Sequence, residues 1–316
     1  MLDRSSLSKN AQKSLPDVAI ERVGQTKTLS GALDWVGMTR IEVPIWTLNQ
    51  QGEKYRSAAL VDAFVSLNDP EARGIHMSRL YAELQSSLTK NILNFTLLEK
   101  ILQAFLESHK SLSLAARIKV HHSALLERPA LKSANSGWRT YPISMSAKLG
   151  QNEKAKFYLE TQIIYSSTCP ASAALSRHLI QENFKESFHQ QNLQFKNIYD
   201  WLGTTAGINA TPHAQRSRAR VKVELAPGKN LSVETLIDLL EEALQTSVQT
   251  YVKREDEQEF ARRNAQNLMF CEDAARRIKN VLEKNLSIAA YVAEMHHEES
   301  LHPHDATSRI SKNLSF

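Results

Sequence analysis

The chain has 316 residues, of which 42% are hydrophobic and 23% are charged. This length allows one large domain or two of ordinary size, and the composition is typical of a folded globular protein rather than a disordered one. No stretch approaches the roughly 18 apolar residues that a membrane-spanning helix needs. The polar start of the chain lacks the apolar core of a signal peptide. The sequence therefore predicts a cytoplasmic protein with no membrane partner.

The net charge is +5, but no block of Lys and Arg is long enough to indicate a nucleic-acid-binding arm. The densest basic group is RSRARVK at 216–222. It is either the solvent face of a strand or an anion site for a phosphorylated small molecule. The chain has two cysteines, Cys169 and Cys271, which is typical of reduced thiols rather than a disulfide framework.

The first half of the chain predicts the element order ββααββ, after a leader at 1–25 that is polar and is expected to be mobile. Alternating apolar residues indicate strands, and apolar residues at helical spacing indicate helices. The predicted elements are strands at 29–48 and 55–67, helices at 75–86 and 93–108, and strands at 114–126 and 139–149.

The second half predicts the same order with an insertion after its first strand. Ser232 is a suitable N-cap for the first long helix of this half. The predicted elements are a strand at 157–167, a helix-compatible insertion at about 172–211, a strand at 218–225, helices at 233–247 and 255–282, and strands at 286–295 and 306–310. The domain boundaries expected from this repeat are 26–150 and 151–316.

Each half predicts a four-stranded antiparallel sheet with two helices on one face. The other face of each sheet is left open unless subunits associate. The predicted fold class is therefore α+β, in tandem ββααββ modules that assemble into an oligomer.

Side chains that can bind metals are concentrated in short segments of the second half. They include Cys169, His213, the acidic residues at 255–257, CED at 271–273 and HHEESLHPHD at 296–305. Thiolate, imidazole and carboxylate together can bind Zn²⁺, Mn²⁺ or Fe²⁺, although no local metal motif is present.

Each of these segments also has a structural interpretation. Cys271 fits a small buried apolar residue, and the acidic run at 255–257 fits a solvated helix start. His296 and His297 are expected at the surface, and the segment with His302 and His304 fits a polar loop.

Seven motifs in order resemble the type IB GTP cyclohydrolases, and the resemblance extends from Leu15 to Ala306. Together they are far more specific than any one alone. They are LDWVGM at 33–38, GIHMSR at 74–79, SSTCP at 166–170, HAQRS at 213–217, KREDE at 253–257, FCED at 270–273 and ESLHPHD at 299–305.

The resemblance implies a tunnelling fold in a homo-oligomer, expected to be a tetramer. It also implies hydrolytic opening of the imidazole ring of GTP, which gives formate and 7,8-dihydroneopterin triphosphate at the start of folate and pterin biosynthesis. The implied cofactor is a divalent metal (Mn, Fe or Zn), and the implied partners are GTP and further copies of the chain.

The resemblance also implies roles for individual residues. Cys169, His213 and Glu257 match the family's metal ligands, with Cys169 also at the catalytic centre. Glu272 matches the residue that anchors guanine, and Glu299 and His302 match positions for proton transfer or water positioning. Arg216 is a candidate for binding the triphosphate.

The chain departs from the family at Ala171, where a second cysteine is common. Either this subgroup reacts without that thiol, or another group replaces it, or the protein is impaired. Two alternative functions stay open: the nitrile reductase of queuosine synthesis, which shares the fold, and a non-catalytic oligomer that binds purines or pterins.

Overall fold

The computed structural model describes residues 30–189 and 193–316, so the leader predicted at 1–25 lies outside the described residues. The described residues form eight strands and seven helices, and none of these helices is long and apolar enough to cross a bilayer. The strands are β1 (Leu33–Leu48), β2 (Lys54–Leu67), β3 (Ala115–Pro129), β4 (Ser136–Gly150), β5 (Lys156–Thr168), β6 (Ala214–Leu225), β7 (Ile288–His297) and β8 (Ala306–Lys312). The helices are α1 (Met77–Leu88), α2 (Phe95–Ser108), α3 (Pro170–Phe188), α4 (Phe195–Leu202), α5 (Val233–Leu244), α6 (Arg254–Gln266) and α7 (Cys271–Lys284).

The strands form one sheet in which sheet order follows chain order from β1 to β8. Neighbouring strands for which the register is resolved pair antiparallel. The predicted α+β fold class with an antiparallel sheet is confirmed, and β1 to β4 with α1 and α2 follow the predicted ββααββ order.

The chain divides into two compact units, one comprising the chain up to His122 with Ser144–Phe157 and the other Ser123–Ile143 with Tyr158–Phe316. In the first unit, the apolar stripe of α2 is buried from Leu97 to Phe105, and Asn94 caps this helix by accepting a hydrogen bond from the Leu97 N–H (2.8 Å). Gly37 lies against the β2 backbone, where a side chain would overlap the carbonyl oxygen of Ala63. The glycine of the LDWVGM motif therefore allows β1 and β2 to approach closely.

The second unit contains every candidate active-site residue. Its strand β6 alternates as predicted, because Ala219, Val221 and Val223 are fully buried while the intervening residues are partly or fully exposed. Ser232 caps α5 as expected, since its Oγ accepts from the Thr235 N–H (3.0 Å). Four residues of α5 are fully buried in the core of this unit, namely Leu236, Ile237, Leu240 and Leu244.

The single helix predicted at 255–282 is two helices, α6 and α7, with a break at residues 267–270. The Asn267 side chain donates to the Leu244 carbonyl (2.9 Å) and to Thr246 Oγ1 (3.1 Å). Two residues later, the Met269 N–H donates to the Thr168 carbonyl at the end of β5 (3.1 Å). These tertiary hydrogen bonds favour the break over a continuous helix, and they place the start of α7 beside the end of β5.

Candidate active site

Cys169 lies at the rim of the sheet, between the end of β5 and the start of α3. It is the N-cap residue of α3, and Pro170 occupies the first helical position, where its fixed φ favours helix initiation. The Cys169 N–H donates to the His213 carbonyl (3.2 Å), and Sγ accepts from the Ser172 N–H (3.5 Å). The half-buried thiol is therefore held at a strand end, as the sequence predicts.

His213 directly precedes β6, whose first residue, Ala214, pairs with Thr168. The His213 N–H donates to Ser172 Oγ (3.1 Å), so Ser172 contacts both His213 and Cys169. The ring atom Nδ1 lies 3.0 Å from Oε1 of Gln215. With Nδ1 protonated and donating to this oxygen, Nε2 carries the lone pair that can bind a metal.

Glu299 reaches the same place from the end of β7. Its Oε2 lies 3.6 Å from Nδ1 of His213, and its Oε1 accepts from Nε2 of Gln215 (3.3 Å). The backbone beside it is fixed because the Glu298 N–H donates to the Arg216 carbonyl (3.2 Å). The structure thus brings Cys169, His213 and Glu299 together where β5, β6 and β7 meet.

Glu272 lies in the first turn of α7. Residue Leu268, just before this helix, forms a bridge with Thr168 next to Cys169. The Glu272 side chain is exposed, and in the described part of the chain it has neither a hydrogen-bond nor an ion-pair partner. A carboxylate so placed is available to bind a ligand.

Arg216 differs from the other arginines of the basic group at 216–222. Arg218 is paired with Glu298, and Arg220 binds Glu160 Oε1 through Nε (2.8 Å) and Nη2 (2.5 Å). These two arginines belong to the polar face of the sheet, as the first interpretation of the basic group expects. Arg216 is exposed and has no side-chain ion pair among the described residues, so it is the member best placed to bind an anion.

Glu257 and His302 are not brought into contact with Cys169 within the described residues. Glu257 is exposed in the first turn of α6. His302 is exposed and stacks on His304, with the ring centroids 5.0 Å apart. Across residues 30–189 and 193–316, no group of three or more His, Cys, Asp or Glu side chains has the arrangement of a metal site.

The chemistry of the assembled residues nevertheless fits a divalent metal. The backbone of the half-buried Cys169 is hydrogen-bonded to that of His213. The Nδ1 of His213 is engaged by Gln215, an arrangement common for zinc-binding histidines. Sulfur and nitrogen ligands with an added carboxylate suit Zn²⁺ and also accept Mn²⁺ or Fe²⁺.

The expected surface position of His297 is wrong, because only 2% of this residue is exposed. It ends β7, and its Nε2 lies 3.0 Å from the hydroxyl of Tyr165. Burial lowers the pKa of His297 to about 4, although the nearby charges of Glu272 and Asp273 act to raise it. Its ring is therefore neutral at neutral pH and shares a hydrogen bond with the Tyr165 hydroxyl.

Cys271 is buried, as expected of a small apolar residue. Its thiol donates to the Met295 carbonyl (3.4 Å), and burial raises the pKa of this thiol. A protonated, buried thiol is a poor metal ligand and nucleophile.

Gln215 is a site residue for which sequence reasoning assigned no role. The sequence pattern could have identified it, because the alternation of buried residues in β6 extends from Ala219 back to Ser217 and Gln215. Both are buried. A polar residue on the buried face of a strand indicates a hydrogen-bonding role.

A separate cavity of about 580 Å³ lies within the second unit between β3, β4, α5 and α6. Its arginines face carboxylates of their own unit. Arg139 binds Glu241 (2.9 Å), and Arg262 and Arg263 both bind Glu259 (2.6 and 3.0 Å). This pairing makes the cavity a weaker candidate for an anionic substrate than the region around Cys169.

Comparisons with known proteins agree with the motif resemblance. The family model described as Type I GTP cyclohydrolase folE2 matches residues 15–308. The GTP cyclohydrolase FolE2 of Bdellovibrio bacteriovorus is 53% identical over 306 residues, which cover 96% of this chain and 98% of that protein. The proteins of the same name from Pseudomonas putida and Hydrogenovibrio crunogenus are 45% and 44% identical, covering 94% and 95% of this chain and 95% of each relative.

Among solved structures, the uricase from Arthrobacter globiformis aligns with a TM-score of 0.50 at 9% identity, covering 90% of this chain and 95% of that chain. This likeness shows the fold alone, and it agrees with the tunnelling fold expected from the sequence. The family match spans nearly all of the chain. The chain therefore belongs to the type I GTP cyclohydrolase folE2 family.

Proposed function

We propose that this chain is a GTP cyclohydrolase that opens the imidazole ring of GTP with water. Formate leaves, and rearrangement of the ribose gives 7,8-dihydroneopterin triphosphate for folate or pterin synthesis. The observation that carries the proposal is the meeting of Cys169, His213 and Glu299 where β5 ends, β6 begins and β7 ends. All three residues belong to motifs by which the sequence resembles the family, namely SSTCP, HAQRS and ESLHPHD.

The proposed metal ligands are Cys169, His213 and Glu257. When held there, a divalent cation would supply Lewis-acid activation of the water needed to open the ring at the weakly electrophilic C8 of guanine. His213 suits this role because Nδ1 is engaged with Gln215 and leaves Nε2 as the ligand atom. Zn²⁺, Mn²⁺ and Fe²⁺ all accept this mixed set.

Glu299 is the proposed group for moving protons during ring opening. Its carboxylate is largely buried, with 14% of the side chain exposed, and is oriented by Gln215. Its oxygens therefore lie beside the metal ligand His213, where they can accept a proton from water and return it to a purine nitrogen. His302 is the proposed second carrier, since an imidazole ring can both donate and accept a proton.

Substrate selection is assigned to Glu272 and Arg216. A carboxylate accepts hydrogen bonds from N1–H and the amino group of guanine, and adenine lacks that pair of donors. Arg216 is exposed and is available for the triphosphate. Because Glu272 is exposed, its carboxylate can accept hydrogen bonds from the guanine base of GTP.

The proposed assembly is a homo-oligomer, specifically a tetramer. Glu257, Glu272 and His302 are all exposed, which suits a site completed by a neighbouring subunit. Large apolar side chains are also exposed on α3 and α4, and such a surface is typical of an interface. They are Leu175, Leu179, Phe195, Tyr199 and Leu202.

Cytoplasmic residence is proposed together with this function. Both cysteines are free thiols, which suits a reducing compartment. Neither nucleic acid nor membrane is proposed as a partner.

The proposal is tested by incubating the purified protein with GTP and Mn²⁺ and measuring pterin fluorescence after oxidation. We expect a fluorescent pterin that accumulates with time and is lost when the metal is removed by a chelator and the chelator is dialysed away. Absence of pterin at every metal tested, with intact GTP recovered, would contradict it.

The same preparation separates the two alternatives. A nitrile reductase would consume a nicotinamide cofactor in the presence of its deazapurine nitrile and release no formate. A binding protein would retain GTP without converting it. The metal requirement and the formate product are expected only of the cyclohydrolase.

A further inference from the structure

Gln215 lies between two side chains of the proposed site. We infer that it is a positioning residue, which fixes the ring of His213 and the carboxylate of Glu299 in the arrangement that metal binding and ring opening need. This inference rests on the proposed function and deepens it. No motif match assigns Gln215 a role.

The geometry is specific to one orientation of the amide. Its Oε1 lies 3.0 Å from Nδ1 of His213, and its Nε2 lies 3.3 Å from Oε1 of Glu299. The Glu299 carboxylate can only accept, so reversing the amide would set two acceptor oxygens against each other. The NH₂ of Gln215 therefore faces Glu299 and its oxygen faces His213. Gln215 is 8% exposed, so a lost hydrogen bond is poorly replaced by water.

Gln215 acts on His213 by selecting the tautomer. Its oxygen can only accept, so the proton of a neutral His213 ring is held on Nδ1 and the lone pair is left on Nε2. The His213 backbone is already fixed from both sides, because its N–H donates to Ser172 and its carbonyl accepts from Cys169. The ring could still rotate about its side-chain bonds, and the hydrogen bond to Gln215 restricts this rotation.

Gln215 acts on Glu299 by keeping the carboxylate from the imidazole. Glu299 Oε2 lies 3.6 Å from Nδ1, which is too long for a hydrogen bond. Without the amide, Glu299 is free to move onto Nδ1 and form that bond itself. The carboxylate would then lose the position from which it is proposed to exchange protons with substrate.

A purely structural role is the competing explanation, since Gln215 also pairs with Ser167 in the β5–β6 ladder. That ladder uses backbone groups, which a side-chain substitution leaves in place. A structural role therefore predicts a change in stability alone, whereas a positioning role predicts changes in metal affinity and kcat.

The test compares Gln215→Leu and Gln215→Glu with the native protein. Leu has nearly the same size and makes neither hydrogen bond. Glu keeps an acceptor towards His213 but sets a carboxylate against Glu299. The control is Gln181→Leu, the same substitution at an exposed position of α3. Readouts are Zn²⁺ affinity by competition with a chromophoric chelator, kcat and KM for GTP, and the melting temperature.

We expect Gln215→Leu to weaken Zn²⁺ binding by about 10- to 100-fold, as loss of an outer partner of a metal-binding histidine does. Its kcat should fall by a similar factor, while KM for GTP changes by less than about twofold because guanine is held elsewhere. Gln215→Glu should recover most of the Zn²⁺ affinity and little of the kcat. Gln181→Leu should match the native protein in all readouts.

Native Zn²⁺ affinity and native kcat in Gln215→Leu would overturn the inference. If that variant does not fold, Gln215→Glu decides, because native kcat in it would equally overturn the inference. Zn²⁺ affinity is measured without GTP, so this arm still decides if the native protein shows no turnover, a result that would count against the proposed function alone.

Discussion

Cys169 owes its position to the change from strand to helix at Pro170. The backbone of the cysteine is bonded to His213, and its sulfur receives the Ser172 N–H. The sequence could predict this placement, because a strand followed by Cys-Pro leaves the side chain at a sheet rim.

Replacing Cys169 with Ser is expected to reduce metal affinity and turnover together. The hydroxyl can still accept the Ser172 N–H and cap α3, so the fold should be kept, but a thiolate ligand is lost. The loss of metal affinity should exceed the roughly 10- to 100-fold that an outer partner contributes. Metal content after dialysis, measured beside formate release, tests this, with Cys271→Ala as the control that keeps its metal. Full metal content and turnover in Cys169→Ser would remove this residue from the site.

Glu272→Gln is expected to weaken GTP binding while metal content stays native. The amide can accept only one of the two guanine hydrogen bonds and sets an NH₂ against the other donor. A lost partner for a buried polar group costs about 1–3 kcal/mol, which corresponds to about 5- to 150-fold in Kd.

The comparison for Glu272 is Glu234→Gln, which changes a carboxylate in the same first turn of another helix, α5. Titration calorimetry with GTP should show native affinity in this control. A parallel loss of metal in Glu272→Gln would instead place this carboxylate in the coordination shell.

Ala171→Cys is expected to leave turnover unchanged. Ala171 is exposed in the first turn of α3. A thiol fits there without overpacking, so an effect on rate would have to be chemical. Single-turnover formate release from both proteins at saturating Mn²⁺ decides. Release that appears only in the Cys variant would mean that the native protein is impaired.

The buried His297 is expected to make stability depend on pH. Its pKa is about 4 in the folded state and near its ordinary value of 6.5 when unfolded, so the unfolded state binds the proton more readily. Stability should therefore fall as pH drops below 6.5, by about 2 kcal/mol between pH 7 and pH 5, and the full loss should be present below pH 4.

The measurement for His297 is the free energy of urea unfolding at pH 7 and pH 5, in the native protein and in His297→Gln. Other groups titrate in the same range, so the difference between the two proteins is compared. Equal pH dependence in both proteins would show that His297 does not carry the effect.

The strands were well predicted because alternation is a local property of the sequence. Strand β6 shows the limit of this reasoning. Its predicted start at 218 excluded Gln215 and Ser217, since polar residues on the buried face resemble a loop. Both are buried against other polar groups, with Ser217 Oγ 2.8 Å from Ser167 Oγ.

The break between α6 and α7 could not be predicted from local pattern. The sequence there favours a helix, and the break is caused by tertiary hydrogen bonds from Asn267 and Met269 to residues far away in the chain. At the start of α6, burial acts to raise the pKa of Asp256, but the hydrogen bonds from Ser133, Lys253 and Lys132 hold this pKa well below its ordinary value. The acidic run at 255–257 is thus partly structural, with Asp256 buried and Glu257 exposed.

The polar face of the second unit carries charges that pair across strands. Arg220 binds Glu160 on β5, and Arg309 on β8 binds Glu294 on β7 (3.2 Å). The pair of Arg220 with Glu160 accounts for part of the basic group at 216–222. Net positive charge in this chain is therefore weak support for a nucleic-acid partner.

The candidate site residues fall into two groups within the described part of the chain. Hydrogen bonds within the second unit link Cys169, His213, Gln215 and Glu299. The other three residues, Glu257, Glu272 and His302, are exposed. Composition and motifs predicted the residue types of the site, but the hydrogen bonds that orient them depend on register. Register follows from the pairing of Thr168 with Ala214 and of Ser217 with His297.

The most direct test of the central claim is the ratio of formate released to GTP consumed in a single turnover, with Mn²⁺-loaded protein in excess over GTP. Ring opening at C8 predicts one formate for each GTP and a matching amount of pterin after oxidation. The same mixture with Cys169→Ser should release formate much more slowly. Complete recovery of intact GTP from the native protein, with no formate, would contradict the account.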